Sequence, residues 1–368
     1  MGSSRKHGIL CIVMRTAIFI VTAICLSIPM HSQTESPTSQ KSFPKPDFVL
    51  HDITRKEEKP SVVLVPMKTD SAGKTTGSFA VYDGSSLIHV SSLSFSSDGK
   101  LLAVGSTPNI VDIWDVENRT KLRSLNAGTA VALTPDGRIL ATDGKGIQLF
   151  DVSSGKLQKT ISWTGGTIWR LSFDNSGTRL LVRANGEVDT VFDTNSGQRL
   201  AALTNTQEAQ FSRDGSLVIG GNAKHIVEWS TKDWSQVRDL PNDPDYVTRF
   251  AVYPENDLIV VGGSKSVRLV RLSSGEEIAS LGGGYTNFAA FSESGSLIFT
   301  YPSSGFAIWD TTGKRLCGTL DLGNGTVALS ANDRWLAAAP VNGITDVMVW
   351  NVKALLSACG AASSAKIH

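Results

Sequence analysis

Ser91 to Asn126 reads SSLSFSSDGKLLAVGSTPNIVDIWDVENRTKLRSLN. Four short strands are written in it. SLSF alternates, Ser97-Asp98-Gly99 is a turn, and LLAVGS is a continuous apolar run. IVDIWDV follows, and the polar turn Glu117-Asn118-Arg119-Thr120 leads into KLRSL. Alternation, β-branched and aromatic content, and turn residues between the runs predict antiparallel strands. Such a unit exposes two apolar faces that it cannot bury by itself, so it needs neighbours of the same kind.

Those neighbours follow in the chain. The turn between first and second strands recurs as Asp98-Gly99, Asp136-Gly137, Ser176-Gly177, Asp214-Gly215, Glu255-Asn256, Ser294-Gly295 and Asn332-Asp333, at intervals of 38 to 41 residues. The second member of each pair is expected to supply the positive φ of a tight turn. The third strand ends on Trp114, Phe150, Phe192, Trp229, Val270, Trp309 and Trp350, usually before a polar residue. A polar turn then opens a fourth strand, as in VSSGKLQKTI, TNSGQRLAAL and LSSGEEIASL. These markers hold phase from copy to copy, which defines a tandem repeat.

The segments IWDV and AIWD, with SSDGK and TPDGR in the preceding turns, resemble the WD-repeat family of β-propellers. The resemblance runs from about Phe79 to Gly360 and is that of a divergent member, of a bacterial, exported type. The family's Gly-His pair before the first strand is absent, and Asn126-Ala127-Gly128 or Gly282-Gly283-Gly284 stand there. Asn109, Lys145 and Lys224 lie where the family carries an Asp. The resemblance implies an all-β fold, a seven-bladed β-propeller of four-stranded antiparallel blades, with eight blades as the alternative. Trp114, Phe150, Phe192, Trp229, Trp309 and Trp350 are then the repeat aromatics that pack between blades. A ring must close or expose sheet edges. SVVLVPM (61–67) or FAVYDGSSLIHV (79–90) is expected to complete the last blade beside VMVWNV and ALLSA.

Residues 1–32 read as a signal peptide or N-terminal anchor: Arg5, Lys6 and Arg15 precede the apolar run Thr16 to Met30, which is short for a spanning helix. Residues 33–60 read as a polar linker, 61–360 as the propeller and 361–368 as a tail. The protein is therefore expected to be exported, periplasmic or secreted, with membrane anchoring by an uncleaved leader as the alternative. Cys11 and Cys25 belong to the leader. Cys317 and Cys359 remain, either bridged or, the reading the sequence favours, as two separate buried thiols.

Lys and Arg total 35 against 34 Asp and Glu, a net charge of +1, which argues against a dedicated nucleic-acid binder. Outside the leader the histidines are His51, His89, His225 and His368, none in metal-ligand spacing. No catalytic residue, metal site or cofactor is indicated. Gly73-Lys74-Thr75 lacks the glycine five residues earlier that a phosphate loop requires, since Lys68 stands there.

Aligned on their first strands, the middle repeats bring Trp169, Arg170, Gln207, Glu208, Arg249, Tyr246 and Tyr285 to one rim of the channel. Trp and Arg at an exposed rim are the residue types that carry interface energy. The sequence thus predicts a monomeric, non-enzymatic module that binds a protein or peptide partner, or acts as a scaffold, through its channel-mouth face. A propeller hydrolase or lyase with its site in the channel is the alternative.

Overall fold

The second strand of most repeats is apolar at nearly every position because both of its faces are covered. LLAVGS (Leu101–Ser106), LIVVGG (Leu258–Gly263) and LIFTYP (Leu297–Pro302) are buried almost throughout, whereas the outer strand Thr120–Asn126 alternates between exposed and half-buried. A sheet sandwiched between two others produces this contrast. The protein is seen in a computed structural model that describes residues 43–50, 62–64, 68–69, 75–76, 80–82 and 89–358, apart from 205, 223, 242–246, 254, 256, 318, 320–324 and 341–345.

The chain forms a 7-bladed β-propeller, so the eight-bladed alternative falls. Blade 1 spans 90–126, blade 2 131–161, blade 3 168–203, blade 4 208–241, blade 5 247–283, blade 6 286–310 and blade 7 326–351. In each, consecutive strands pair antiparallel from the channel outwards. Each apolar cluster draws on two adjacent blades. Val111 and Ile113 of blade 1 meet Val131, Leu140 and Phe150 of blade 2, and Leu181 and Val191 of blade 3 meet Ala209 and Trp229 of blade 4. Trp114, Phe150, Phe192, Trp229 and Trp350 are buried in these seams.

Blade 7 takes its fourth strand from the other end of the chain. Phe48–Leu50 pairs with Val347–Asn351, with Phe48 opposite Val349 and Leu50 opposite Val347. Asp47 N donates to Val349 O at 2.9 Å, and Trp350 Nε1 donates to Pro44 O at 3.1 Å. Phe43 lies edge-on to both Trp350 and Phe306. The first strand of blade 7 packs against that of blade 1, and the ring is shut.

Several expectations are corrected here. The closing strand is Phe48–Leu50, inside the segment read as linker, and not SVVLVPM or FAVYDGSSLIHV. Val62–Leu64 pairs instead with Ala80–Tyr82, and Lys68–Thr69 with Thr75–Thr76, in two small separate sheets. ALLSA lies in the helix Val352–Ala358, whose Leu355 and Leu356 are buried in the seam of blades 6 and 7. Among the described residues blade 6 has three strands, followed by a bridge between Trp309 and Arg315. Trp309 is accordingly only part-buried, with Nε1 donating to Thr300 Oγ1 at 2.8 Å. In blade 5 Asp257 stands at positive φ, and the expected Asn256 lies outside the described residues. Cys317 is buried and disulfide-bonded, not a free thiol. The leader, the C-terminal tail, Cys359 and Tyr246 lie outside the described residues.

Candidate functional site

The first strands of the blades surround a cavity of about 720 Å³ at one mouth of the channel. The mouth is shaped by a repeated irregularity of the backbone. The pairing of first and second strands shifts register between Val90 and Ser92, Ile168 and Arg170, Val247 and Arg249, and Thr286 and Phe288. Each shift is a β-bulge, which leaves one residue unpaired and re-aims it. The skipped residues are Ser91, Trp169, Thr248 and Asn287, and all of them line the cavity. Trp169 is 55% exposed, an unusual state for a tryptophan within a strand.

The bulge in blade 3 also sets Arg170 directly opposite Arg183 of the second strand. Like charges facing each other across strands repel. A carboxylate from the next blade offsets this. Glu208, 2% exposed in the first strand of blade 4, accepts a hydrogen bond from Arg170 Nη1. Its Oε2 lies 2.9 Å from Arg183 Nη1 and 3.7 Å from Arg249 Nη1 of blade 5. The contact with Arg183 is an ion pair without hydrogen-bond alignment. Arg249 is held further by Nε to Asn287 O at 2.8 Å and Nη1 to Thr248 O at 2.6 Å. The Arg183 guanidinium stands over the Trp169 ring, 5.9 Å from its centroid.

Charge is unevenly balanced in this cluster. Burial works to raise the Glu208 pKa, but Arg170, Arg249 and Arg183 outweigh it and hold the carboxyl below its usual range. Burial and the neighbouring Glu208 push Asp189, at the start of the third strand of blade 3, up to about 7. Burial and the positive charge of Arg170 bring Arg249 down to about 10, with Glu208 opposing. Three guanidiniums therefore face the ionised Glu208, with the buried Asp189 beside it.

Of the residues expected at the rim, Trp169, Arg170, Arg249 and Tyr285 line the cavity together. Glu208 lies behind them, and Gln207 keeps its Oε1 buried without a hydrogen-bond partner. Neither belongs to the lining. Trp163, in the adjoining loop, packs edge-on to Phe192 and donates Nε1 to Gly166 O, so it is part of the seam of blades 2 and 3. Arg183 escaped sequence reasoning. It sits in a second strand, where the repeat pattern points to core, and only the bulge brings it to the mouth.

The two described histidines are elsewhere. His89 Nδ1 lies 3.2 Å from Thr107 Oγ1, and His225 Nδ1 lies 2.8 Å from Asp239 Oδ1 on an outer strand. At the opposite mouth a smaller cavity of about 560 Å³ is bordered by the turns. Its polar groups bind one another: Arg213 pairs with Glu293 at 2.8 Å, and Glu293 N donates to Asp333 Oδ2 at 2.6 Å.

Residues 78–115 match the family model for the WD domain, G-beta repeat. The chain is 26% identical over 172 residues to COMPASS component SWD3 of Saccharomyces cerevisiae, covering 43% of this chain and 54% of that protein. It is 37% identical over 120 residues to U3 small nucleolar RNA-associated protein 15 of the same yeast, covering 29% and 23%. With WD repeat-containing protein slp1 of Schizosaccharomyces pombe it shares 27% over 169 residues, covering 41% and 34%. The chain thus spans about half or less of the length of these relatives. Seven blades, the repeated turn chemistry and the family match agree: the chain is a β-propeller whose repeats are similar to those of the WD-repeat family.

Proposed function

We propose that this protein is an exported, non-enzymatic propeller that holds a protein or peptide partner at the channel mouth formed by blades 3 to 6. The observation that carries the reading is Trp169, bulged out of its strand and backed by Arg183. Arg170 and the 48% exposed Tyr285 share the same cavity. An exposed aromatic held rigidly beside arginines loses little entropy on binding and is the usual centre of an interface. A bulge at this place is of little use to the sheet, since it forfeits ladder hydrogen bonds. The relative SWD3 is named as a component of an assembly, which accords with a partner-holding role.

The lining favours binding over catalysis. It consists of serines, threonines, an asparagine, arginines, aromatics and aliphatics, with no carboxylate or imidazole among the described residues to move a proton near neutral pH. Export rests on the apolar leader Thr16 to Met30 and is supported by the disulfide at Cys317, since such bonds persist in oxidising compartments. Cell fractionation of the tagged full chain tests it, and recovery in the cytosol with its leader intact would refute it.

The partner reading is tested by affinity capture with the full chain beside a Trp169→Ala, Tyr285→Ala double variant of unchanged melting temperature. A specific partner lost with the variant is the expected result. A partner retained equally by both would remove the site from this mouth.

A further inference from the structure

The residues that line the mouth and the residue that neutralises them are on different sides of the cluster. Arg170, Arg183 and Arg249 all line the cavity, and Glu208 does not. Among the described residues the lining holds no aspartate or glutamate at all. A ligand in the channel therefore meets three guanidiniums, while the buried carboxylates near them, Glu208 and Asp189, do not line the cavity. Arg170 spends one N–H on Glu208 and makes no other hydrogen bond among the described residues, and its side chain is 39% exposed. Its remaining donors are left without a protein acceptor. Arg183 also lines the cavity, with its Nη1 buried in the ion pair with Glu208. Half-buried guanidinium donors without an acceptor, as on Arg170, are what an incoming anion satisfies.

From this arrangement we infer that the channel mouth takes an acidic peptide, seated by a side-chain or terminal carboxylate on Arg170, Arg183 and Arg249, with an adjoining residue packed on Trp169 and Tyr285. The inference deepens the partner reading above by fixing the chemistry of the partner. A carboxylate is the matching group because the same guanidiniums already converge on one from the far side, and the planar fork of arginine fits a planar carboxylate. A peptide, rather than a free small acid, suits a cavity whose rim carries two exposed aromatic rings next to the charges. The same geometry excludes basic peptides. Glu208 is the nearest carboxylate to the mouth cluster, and a lysine or arginine would have to pass three positive charges to reach it.

The test is fluorescence anisotropy with three labelled peptides of equal length, oligoglutamate, oligoglutamine and oligolysine, on the full chain. Oligoglutamate is expected to bind about tenfold or more tighter than oligoglutamine, oligolysine not at all, and the preference to shrink as salt is raised. Arg170→Gln is expected to cost about tenfold in oligoglutamate affinity, the scale of one charge-assisted pair, and Arg170→Lys to retain part of it. Arg170 is the most exposed of the three arginines, and matched melting curves establish that these variants fold. Should Arg170→Gln fail that check, Tyr285→Ala serves, and oligoglutamate affinity should again fall. Equal affinity for oligoglutamate and oligoglutamine, preference for oligolysine, or displacement by inorganic phosphate at concentrations that leave chloride controls unaffected would overturn the inference. Failure here and failure of the partner reading are distinguishable. A captured partner that depends on Trp169 but competes with oligolysine would leave the partner reading standing and remove the acidic one.

Discussion

Glu208 of blade 4 accepts a hydrogen bond from Arg170 of blade 3, and its second oxygen lies within ion-pair distance of Arg183 and Arg249. One carboxylate thus joins the inner strands of three blades. Replacing it by Gln leaves three guanidiniums crowded together with their offset gone. Breaking a buried pair in this way costs about 3–5 kcal/mol. Chemical denaturation of Glu208→Gln should show that loss. The double variant Glu208→Gln, Arg170→Met should be less destabilised than the sum of the two single changes, because one uncompensated charge has been removed with the other.

Asp189 gives the protein a pH dependence of definite sign. Its pKa stands near 7 in the fold against 3.8 for the free side chain, through burial first and the charge of Glu208 second. Between those values the native state binds the extra proton, so stability falls as pH rises through the window and the full cost is reached above it. Asp189→Asn removes the titration. It should stabilise the protein at pH 8 by up to about 4 kcal/mol and bring no gain near pH 4. Urea midpoints at the two pH values decide the matter, and an equal shift at both would exclude Asp189 as the cause.

Two glycines with nearly the same φ should respond differently to substitution. Gly275 (φ +76) has no atom near the place a Cβ would take, so Gly275→Ala meets only left-handed strain of about 1–2 kcal/mol. Gly295 (φ +67) would set a Cβ 2.3 Å from Tyr253 Cε1. The Tyr253 ring is fixed there by its hydroxyl, which donates to Glu293 O at 3.1 Å, and by Phe291. Gly295→Ala should therefore cost about 1–3 kcal/mol beyond Gly275→Ala. Comparing the two midpoints isolates the steric part.

The closing strand should be as important to stability as any blade interior. Leu50 is 1% exposed in the seam of blades 7 and 1, beside Val90, Trp114 and Val349. Leu50→Ala should cost about 2–5 kcal/mol in a denaturant titration. If the segment were a mere linker, the change would be silent.

Much of this was legible in the residues. The Gly of each Asp-Gly or Ser-Gly turn adopts the positive φ that its type allows, at Gly99, Gly137, Gly177, Gly215 and Gly295. Where the turn carries no Gly, Asp333 takes the expected positive φ, and Asn256 lies outside the described residues. The apolar runs marked buried strands correctly because nothing else would cover both faces. The closing strand was missed for a physical reason. Phe48-Val49-Leu50 is only three residues long amid polar neighbours, and its partner is a strand far along the chain, so local pattern carries no signal of it. ALLSA follows directly on the last strand, which suggests a closing sheet, but its leucine and alanine content is that of a helix. At the channel mouth, Trp169, Arg170 and Arg249 could be aligned from repeat phase. Arg183 could not, because a bulge is a property of backbone pairing and shifts by one residue which side chains look into the channel.

The closing pair also dictates an order of events. Phe48 leaves the ribosome early and Val349 roughly three hundred residues later, and chains are made from the N-terminus. Through nearly the whole of translation Phe48–Leu50 has no strand to join, while blades 1 to 6 can stack one upon the next as they emerge. Completion of the ring is thus the last conformational event and the one of longest sequence separation. A nascent chain stalled short of Val347 would leave the face of blade 1 that packs on blade 7 uncovered and an unpaired apolar segment before it, the state most exposed to misassembly and most in need of a chaperone.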